Sequence, residues 1–414
     1  MGVKTRWIVP ALLCTLLCAS LASCDSSTSP DNAIPEIQDP PAGFLKFVAI
    51  DAGGGTVCGI TADSLTYCWG MPLVGVQYEY APKWISSVPK LGTISVGTHH
   101  DADANAMLCG HNPSNEVVCY GQSGWPSQMV TVPGSAGFTN VSVGEAICAL
   151  TSDGYARCWR YKSPSGRMGI GDESSTIAGT PYAVAGDRQY SSLSTGWVSS
   201  CATTSAGEMY CWGNNFALQV SSDPEFFGRL PQPVPMPAPA TTVSTLELHT
   251  CALVSGAQAG TYCWGMHARG RLGQIDPTTV ECPGVIDGNT AQPARCVAQP
   301  IKVSGDVSFV ALAAGTHHTC GLDAQGQAFC WGSGTWGELG NGRNGVSNWK
   351  ATPTPVAGNL RFRAIAAGQF FTCGIATNDA TYCWGSNFGG MLGASQSGGF
   401  VSTVPYPIAL PQSN

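Results

Sequence analysis

The cysteines are the residues whose spacing in this sequence indicates a chemical role, because paired thiols either bind zinc or form disulfides. The chain has 19 cysteines in 414 residues, and three of them (Cys14, Cys18 and Cys24) lie near the N-terminus. Of the remaining sixteen, six pairs are separated by ten residues, one by twelve and an irregular one by fourteen. The pairs are Cys58 with Cys68, Cys109 with Cys119, Cys148 with Cys158, Cys201 with Cys211, Cys251 with Cys263, Cys282 with Cys296, Cys320 with Cys330 and Cys373 with Cys383.

The even spacing favours disulfides across β-hairpins over metal binding. Side chains alternate between the two faces of a strand, so cysteines that face each other across a hairpin keep an even separation. Zinc sites bring ligands two to four residues apart, and the sequence contains no C-x-x-C. We therefore predict eight disulfides, no metal site and no cofactor.

Other polar groups give weaker signals. His99-His100 and His317-His318 occupy the same place in the repeat, after Gly-Thr, which favours a structural role between repeats. Residues 101–105 alternate oxygen ligands as calcium loops do, but Ala106 and Asn112 stand where such loops need Gly and Glu. No nucleophile elbow, phosphate-binding glycine loop or H-E-x-x-H occurs. We expect that the protein is not an enzyme. The alternative is an enzyme whose active site is a cluster of carboxylates in the axial channel.

The hairpins recur, and their recurrence predicts the architecture. The first cysteines of the seven regular pairs span 315 residues in six steps, close to the period of about 40–50 residues of propeller blades. Short strands such as 309–315 precede the hairpins, and Gly-rich turns and Pro-flanked strands such as 351–358 follow them. We predict an all-β, seven-bladed propeller of about four-stranded antiparallel blades with disulfide-stapled hairpins.

An aromatic residue follows the second cysteine of every regular pair. A ring that recurs at one structural position favours packing between blades over ligand binding. These residues are Trp69, Tyr120, Trp159, Trp212, Trp264, Trp331 and Trp384.

Residues 310–342 resemble a repeat of the regulator of chromosome condensation family. That repeat has a strand ending in Gly, a His before the second strand, a Trp-Gly after the third and a Gly-x-Leu-Gly turn. The matching residues are Gly315, His318, Trp331-Gly332 and Glu338-Leu339-Gly340. The resemblance covers about residues 44–410 and is closest in the last two copies. It implies a seven-bladed propeller and, by analogy, either a guanine-nucleotide exchange regulator or a protein-binding rim like that of secreted relatives that inhibit β-lactamases.

The N-terminus has the features of a targeting segment. Lys4 and Arg6 precede an apolar stretch, about Trp7 to Leu21, that is short for a membrane-spanning helix. Leu21-Ala22-Ser23-Cys24 resembles the lipobox of bacterial lipoproteins, which implies a signal peptide over 1–23 and lipid on Cys24. A Pro-rich flexible tether over 24–43 would then join the membrane to the propeller over 44–414. We expect a bacterial cell-envelope location, periplasmic or on the outer surface, in an oxidising compartment.

Composition and repetition favour binding over catalysis. The net charge of -7 without basic clusters argues against nucleic acid as a partner. We expect a monomer that binds a protein or cell-envelope component, with carbohydrate as an alternative ligand. The insertion at about 266–303 is expected to lengthen a connection between blades and to serve either recognition or no function. The candidate rim residues are Phe226, Phe227, Trp336 and Trp349.

The cysteine pairing predicts a measurable change in mass. Full reduction of the mature chain should add sixteen hydrogens, two for each of the eight predicted bonds. Intact-mass spectrometry with and without reductant measures this gain. Peptide mapping that joined Cys68 to Cys109 instead of Cys58 would contradict the pairing.

Overall fold

The computed structural model describes residues 34–73, 78–98, 106–121, 129–160, 167–174, 176–226, 228–286, 293–395 and 400–410. These residues form seven antiparallel sheets, each built from consecutive strands. We call the sheets blades 1 to 7 in chain order. The first strand of each blade contacts the first strand of the next blade, and blade 7 contacts blade 1, so the blades close into a ring. The predicted seven-bladed propeller is confirmed.

The strand bounds show how regularly the pattern recurs. Blades 1 to 3 contain β1 (Phe47–Gly53), β2 (Thr56–Thr61), β3 (Thr66–Gly70), β4 (Glu79–Trp84); β5 (Ser95–Thr98), β6 (Ala106–His111), β7 (Val117–Tyr120), β8 (Val130–Thr131); and β9 (Thr139–Val143), β10 (Ile147–Leu150), β11 (Ala156–Trp159), β12 (Tyr182–Ala183). Blades 4 and 5 contain β13 (Tyr190–Thr195), β14 (Ser199–Thr204), β15 (Met209–Gly213), β16 (Gly228–Val234); and β17 (Ala240–Thr245), β18 (His249–Val254), β19 (Gly260–Met266), β20 (Val280–Ile286), β21 (Pro293–Lys302). Blades 6 and 7 contain β22 (Phe309–Ala314), β23 (His318–Asp323), β24 (Ala328–Ser333), β25 (Trp349–Pro355); and β26 (Phe362–Ala367), β27 (Phe371–Ala376), β28 (Thr381–Ser386), β29 (Val401–Pro407).

The regular cysteine pairs lie directly opposite each other in the second and third strands of the blades. In blade 1 the Thr61 amide donates to the Leu65 carbonyl, and Cys58 pairs with Cys68 three residues further along. That odd step places the cysteines in a non-hydrogen-bonded pair, where opposing side chains come closest. Their Cα atoms are 4.1 Å apart, and the sulfurs are bonded.

The other regular pairs are bonded in the same way, with Cα atoms 4.0–4.2 Å apart. They are Cys109 with Cys119, Cys148 with Cys158, Cys201 with Cys211, Cys251 with Cys263, Cys320 with Cys330 and Cys373 with Cys383. The two extra residues between Cys251 and Cys263 lie in the turn, so these cysteines still face each other across β18 and β19. The predicted disulfide-stapled hairpins are therefore confirmed in all seven blades.

Blade 5 departs from the prediction in the place of its insertion. The insertion does not lengthen a connection between blades, because Cys296 already pairs with Met266 within the sheet. Instead β21 is the fourth strand and β20 adds a fifth strand at the outer edge. The predicted disulfide between Cys282 and Cys296 is present and joins these two strands. Both cysteines pack with Ala217 and Leu218 of blade 4, so the extra strand is held against its neighbour.

A recurring contact between neighbouring blades is made by the tryptophan that follows the second cysteine of a regular pair. All six tryptophans at this position are buried. At four junctions the indole Nε1–H donates to a backbone carbonyl in the turn after the third strand of the preceding blade. The pairs are Trp264 with Gln219 at 2.9 Å, Trp331 with Arg271 at 3.1 Å, Trp384 with Glu338 at 3.0 Å and Trp69 with Met391 at 3.2 Å.

The first strands are joined around the axis by side-chain acceptors. Asp51 Oδ2 accepts the Val96 amide at 2.7 Å, which links blade 1 to blade 2. Four serine hydroxyls take the same place in blades 2 to 5 and accept an amide of the next blade. They are Ser95, Ser142, Ser194 and Ser244, which accept Val143, Thr195, Thr245 and Ala314. Ala313 and Ala366 stand at this position in blades 6 and 7 and carry no such acceptor.

Blades 7 and 1 meet without sharing a strand. The Gln369 amide donates to the Gly54 carbonyl at 2.8 Å, and Arg363 Nη2 donates to the Phe47 carbonyl at 2.6 Å.

Residues 34–43 belong to the stretch predicted as a tether, and part of that stretch lies against the blades. Ile37 packs beside Gly358 and the core between blades 6 and 7.

We expect the indole hydrogen bond to contribute measurably to stability. Trp331→Phe keeps an aromatic ring but removes the donor to the Arg271 carbonyl. Trp212→Phe is the matched control, because the equally buried Trp212 Nε1 finds no hydrogen-bond partner among the described residues. Guanidinium unfolding with intact disulfides should show Trp331→Phe less stable than Trp212→Phe by about 1–2 kcal/mol. Equal losses would show that the indole bond contributes nothing net.

Candidate functional site

The loops that carry the predicted binding residues emerge on one side of the ring. His318 at the start of β23 pairs with Gly332 near the end of β24, and Ser333 pairs with Trp349 at the start of β25. The loops between first and second strands and between third and fourth strands therefore leave from the same end of each blade. We call this end the upper rim and the opposite end the lower rim.

The structure separates the four predicted rim residues. Trp336 and Trp349 lie on the upper rim of blade 6, with 46% and 48% of their surfaces exposed. Phe226 instead packs, partly buried, against the core between blades 4 and 5, because the loop before β16 folds inward. Phe227 lies outside the described residues. Trp336 and Trp349 thus remain as a pair of exposed indoles on one blade.

Sequence reasoning missed the neighbours that surround Trp336. The Phe370 ring of blade 7 lies 6.2 Å from the Trp336 ring and 5.6 Å from the His317 imidazole. Arg269 of blade 5 reaches the same loop, where its Nη1 donates to Thr335 Oγ1 at 2.8 Å. Three consecutive blades therefore contribute to one surface. The sequence signal was present in the equivalent loop positions of His317 and Phe370, directly before the buried His318 and Phe371.

One position of the repeat has separate backbone and side-chain roles. We define position x as the turn residue whose carbonyl accepts the indole of the next blade. Its carbonyl has a constant task, whereas its side chain differs from blade to blade. Position x is Gln219, Arg271, Glu338 and Met391 in blades 4 to 7, and Arg167 occupies the corresponding place in blade 3.

Arg271 at position x of blade 5 is almost fully buried, with 3% of its surface exposed. Its guanidinium donates to the Ala268 and Thr316 carbonyls and to His317 Nδ1, each at 3.2 Å. Burial lowers the pKa of Arg271 to about 10, which leaves the group charged at neutral pH. Burial, followed by the charge of Arg271, lowers the pKa of His317 to about 3. The imidazole of His317 is therefore neutral across the physiological range.

Two further histidines connect neighbouring blades. His249 Nε2 lies 2.8 Å from Thr319 Oγ1, and His318 Nε2 lies 2.8 Å from Thr372 Oγ1. The Thr372 hydroxyl donates its own proton to the Glu338 carbonyl, so it accepts from the imidazole and the hydrogen of His318 sits on Nε2. Burial, followed by the charge of Arg271, lowers the pKa of His318 to about 3. His318 thus has the structural place between blades that the sequence favoured.

The central channel contains a polar cavity of about 140 Å³, lined by the first strands. Asp51 is the single carboxylate among its described lining residues, beside serine and threonine hydroxyls. Burial raises the pKa of Asp51 to about 6, although the Val96 amide and other hydrogen bonds act against it. The described wall therefore lacks the clustered acid and base groups that an axial active site would need. No three His, Cys, Asp or Glu side chains of the described residues are placed to hold a metal together.

Several sequence predictions concern residues that the structure does not describe. These are Cys24, the His99-His100 pair and residues 101–105. Within the described ranges, no helix has the length and apolar character needed to cross a bilayer.

The fold and the junctions define a class, a closed seven-bladed propeller whose blades repeat one motif. Residues 309–337 and 362–390, and separately 325–375, match the family described as the regulator of chromosome condensation (RCC1) repeat. Residues 309–390 thus match RCC1 repeats, in the last two copies, where the sequence resemblance is closest.

Known relatives and structures agree with this fold. "RCC1 domain-containing protein RUG3, mitochondrial" of Arabidopsis thaliana is 25% identical over 62% of this chain and 55% of its own length. The chain thus spans about half of that relative. Human WBSCR16 is similar with a TM-score of 0.65 at 17% identity, over 80% of this chain and 88% of that one. Prp20p of Saccharomyces cerevisiae was solved in work on its binding to Gsp1p and histones. It is similar with a TM-score of 0.64 at 17% sequence identity, over 80% of this chain and 84% of that one.

We expect the neutral buried histidine to make stability depend on pH. The folded pKa of His318 is about 3, below the ordinary value of about 6.5, so the unfolded chain binds the extra proton between these values. The contribution of His318 to the free energy of unfolding is therefore fully present above pH 6.5. It decreases as the pH falls below that value, by at most about 1.4 kcal/mol per pH unit. His318→Gln keeps an amide donor near Thr372 without titrating and should remove this component.

Guanidinium unfolding of both proteins at pH 7.5 and 5.5 tests this expectation. Between the two values the wild type should lose about 1 kcal/mol more than His318→Gln. Burial raises the pKa of Glu338 to about 7, which acts in the opposite direction because stability is lost as the pH rises. That contribution is common to both proteins and cancels in the comparison. Parallel pH dependence of the two proteins would contradict the expectation.

Proposed function

We propose that this protein is a lipid-anchored, noncatalytic propeller of the bacterial cell envelope that binds a partner protein through its upper rim. The observation that carries the proposal is the exposed Trp336, which contacts Phe370 on a rim held by a rigid ring. Exposed aromatic side chains on rigid frames are typical centres of protein interfaces. A cell-envelope component other than a protein is the broader form of the same proposal.

The anchoring part of the proposal rests on the N-terminal sequence. Leu21-Ala22-Ser23-Cys24 resembles a lipobox, and several acyl chains on one residue would hold the protein firmly at a membrane. The eight disulfides agree with an oxidising compartment. The mass of the N-terminal peptide from the native host tests this part, because the proposal requires acyl chains on Cys24.

The family supports a protein partner by analogy. Prp20p was described with binding to Gsp1p and to histones, both of them proteins. An exchange-factor-like role for this chain remains an analogy alone, since no residue of the rim can be matched to that activity. A compartment outside the cytoplasm would also separate this protein from a nuclear GTPase.

A carbohydrate ligand is the second candidate, and one observation favours it. Phe216 and Phe388 occupy the same turn position, three residues after Gly213 and Gly385, and are 41% and 59% exposed. Equivalent rings on a propeller could stack on successive sugars. The row is interrupted, however, because Ala268 and Thr335 take this position in blades 5 and 6. The protein-binding proposal therefore has the stronger support.

Affinity capture from the native envelope tests the proposal. The mature domain should retain a partner protein, and Trp336→Ala should reduce its recovery at least about tenfold, as expected for an interface hot spot. Trp84→Ala is the matched control, because Trp84 is an exposed tryptophan at the lower end of β4. Equal recovery with the wild type and Trp336→Ala would contradict the proposed rim. Capture of glycan alone would favour the carbohydrate candidate.

A further inference from the structure

Two arginines of blade 5 face the aromatic surface without an ion pair. Arg271 donates to two carbonyls and to His317 Nδ1, and Arg269 donates to the Thr335 hydroxyl. No carboxylate among the described residues forms a salt bridge with either guanidinium. Glu247 acts electrostatically on Arg271 and Glu338 on Arg269 without salt-bridge contact, and burial raises the pKa of both carboxyls, so they offset the guanidinium charges only in part and leave a local positive potential.

Blade 3 provides an internal comparison for Arg271. Arg167 occupies the corresponding turn position, and its Nη1 contacts Glu145 Oε2 in an ion pair. Glu247 is the blade 5 counterpart of Glu145, since each lies two residues after the end of the first strand. Glu247 influences Arg271 electrostatically without salt-bridge contact, and burial raises the pKa of Glu247 to about 6. The same fold position is therefore closed by an ion pair in blade 3 and left without one in blade 5.

The hydrogen bond from Arg271 also determines which ring nitrogen of His317 carries the hydrogen. Because the guanidinium donates to Nδ1, the hydrogen of the neutral imidazole sits on Nε2. His317 is partly exposed, its ring is held against Phe370, and its Nε2 donates to no described residue. The rim therefore presents an N–H donor near the partly exposed Arg269 and beside Phe370, which also contacts Trp336.

We propose that Arg269, His317, Trp336 and Phe370 form a receptor for a side-chain carboxylate of the partner protein, one flanked by an aromatic residue. Arg269 and His317 Nε2–H donate to the carboxylate oxygens, and the buried Arg271 adds its charge from below. Trp336 and Phe370 cover the aromatic neighbour of the carboxylate. This inference rests on the proposed function and names the chemistry of its partner. It places a local positive potential on a chain whose net charge is -7.

A pair of isosteric peptides tests the receptor. The probes are N-acetyl-Glu-Phe-amide and N-acetyl-Gln-Phe-amide, which differ in charge and hardly in shape. The readout is the indole N–H resonance of Trp336, assigned with Trp336→Phe. The Glu peptide should bind saturably with a dissociation constant on the order of millimolar, about tenfold more tightly than the Gln peptide. Equal binding of the two peptides would overturn the proposal.

Variants separate the carboxylate contact from the aromatic contact. Arg269→Gln should abolish the preference for Glu, whereas Trp336→Ala should weaken both peptides about equally. Trp84→Ala should change neither, and circular dichroism with thermal melting confirms that each variant is folded. Retention of the Glu preference by Arg269→Gln would overturn the receptor.

The outcomes also distinguish this inference from the proposed function. If neither peptide binds but capture of the native partner still depends on Trp336, the carboxylate receptor is wrong and the binding rim stands. If neither peptide binds and capture is insensitive to Trp336, both proposals fail. If a neutral oligosaccharide shifts the Trp336 resonance and the Glu peptide does not, the surface takes sugar and the receptor is wrong.

Discussion

Four of the seven blade junctions depend on a hydrogen bond from the indole of one blade to a turn carbonyl of the preceding blade. The donor is buried, so an unpaired indole would carry a desolvation penalty of about 1–3 kcal/mol. At four junctions the bond fixes the turn as well as the ring, and the turn then determines where the upper-rim loops begin. The indole bond uses only the carbonyl of position x, so side chains as different as those of Arg271, Glu338 and Met391 occupy this position. Arg271 and Glu338 are two such side chains on one rim.

Local and periodic features of the fold could be predicted from the sequence. The spacing of Cys320 and Cys330 defines a hairpin because strand alternation imposes an even separation. Recurrence of Trp331 and its equivalents indicates burial between blades, since one repeat must pack on the next. Seven copies then give the blade number. These inferences need only neighbouring residues and a period, which a single sequence contains.

The composition of the rim could not be predicted, because it depends on contacts between blades. Arg271 and His317 are 46 residues apart in the chain and meet only through the curvature of the ring. Phe226 was expected on the surface, but its loop folds against the core. The register of Cys296 with Met266 likewise turned an expected connection into a fifth strand. In each case the deciding contact is set by packing that no local pattern encodes.

Every disulfide in the described part of the chain lies within one blade, and each links cysteines ten to fourteen residues apart. The ring is thus a set of separately cross-linked blades, and apart from the chain connections the described contacts between blades are all noncovalent. Neighbouring blades are consequently held together by indole, hydroxyl and apolar contacts and not by disulfides. Blades 6 and 7 carry Ala313 and Ala366 where other blades have a side-chain acceptor, and backbone hydrogen bonds from Thr316 to Gly368 and from Gln369 to Gly54 join the blades there. The described disulfides therefore hold each blade together and contribute nothing to the contacts between blades.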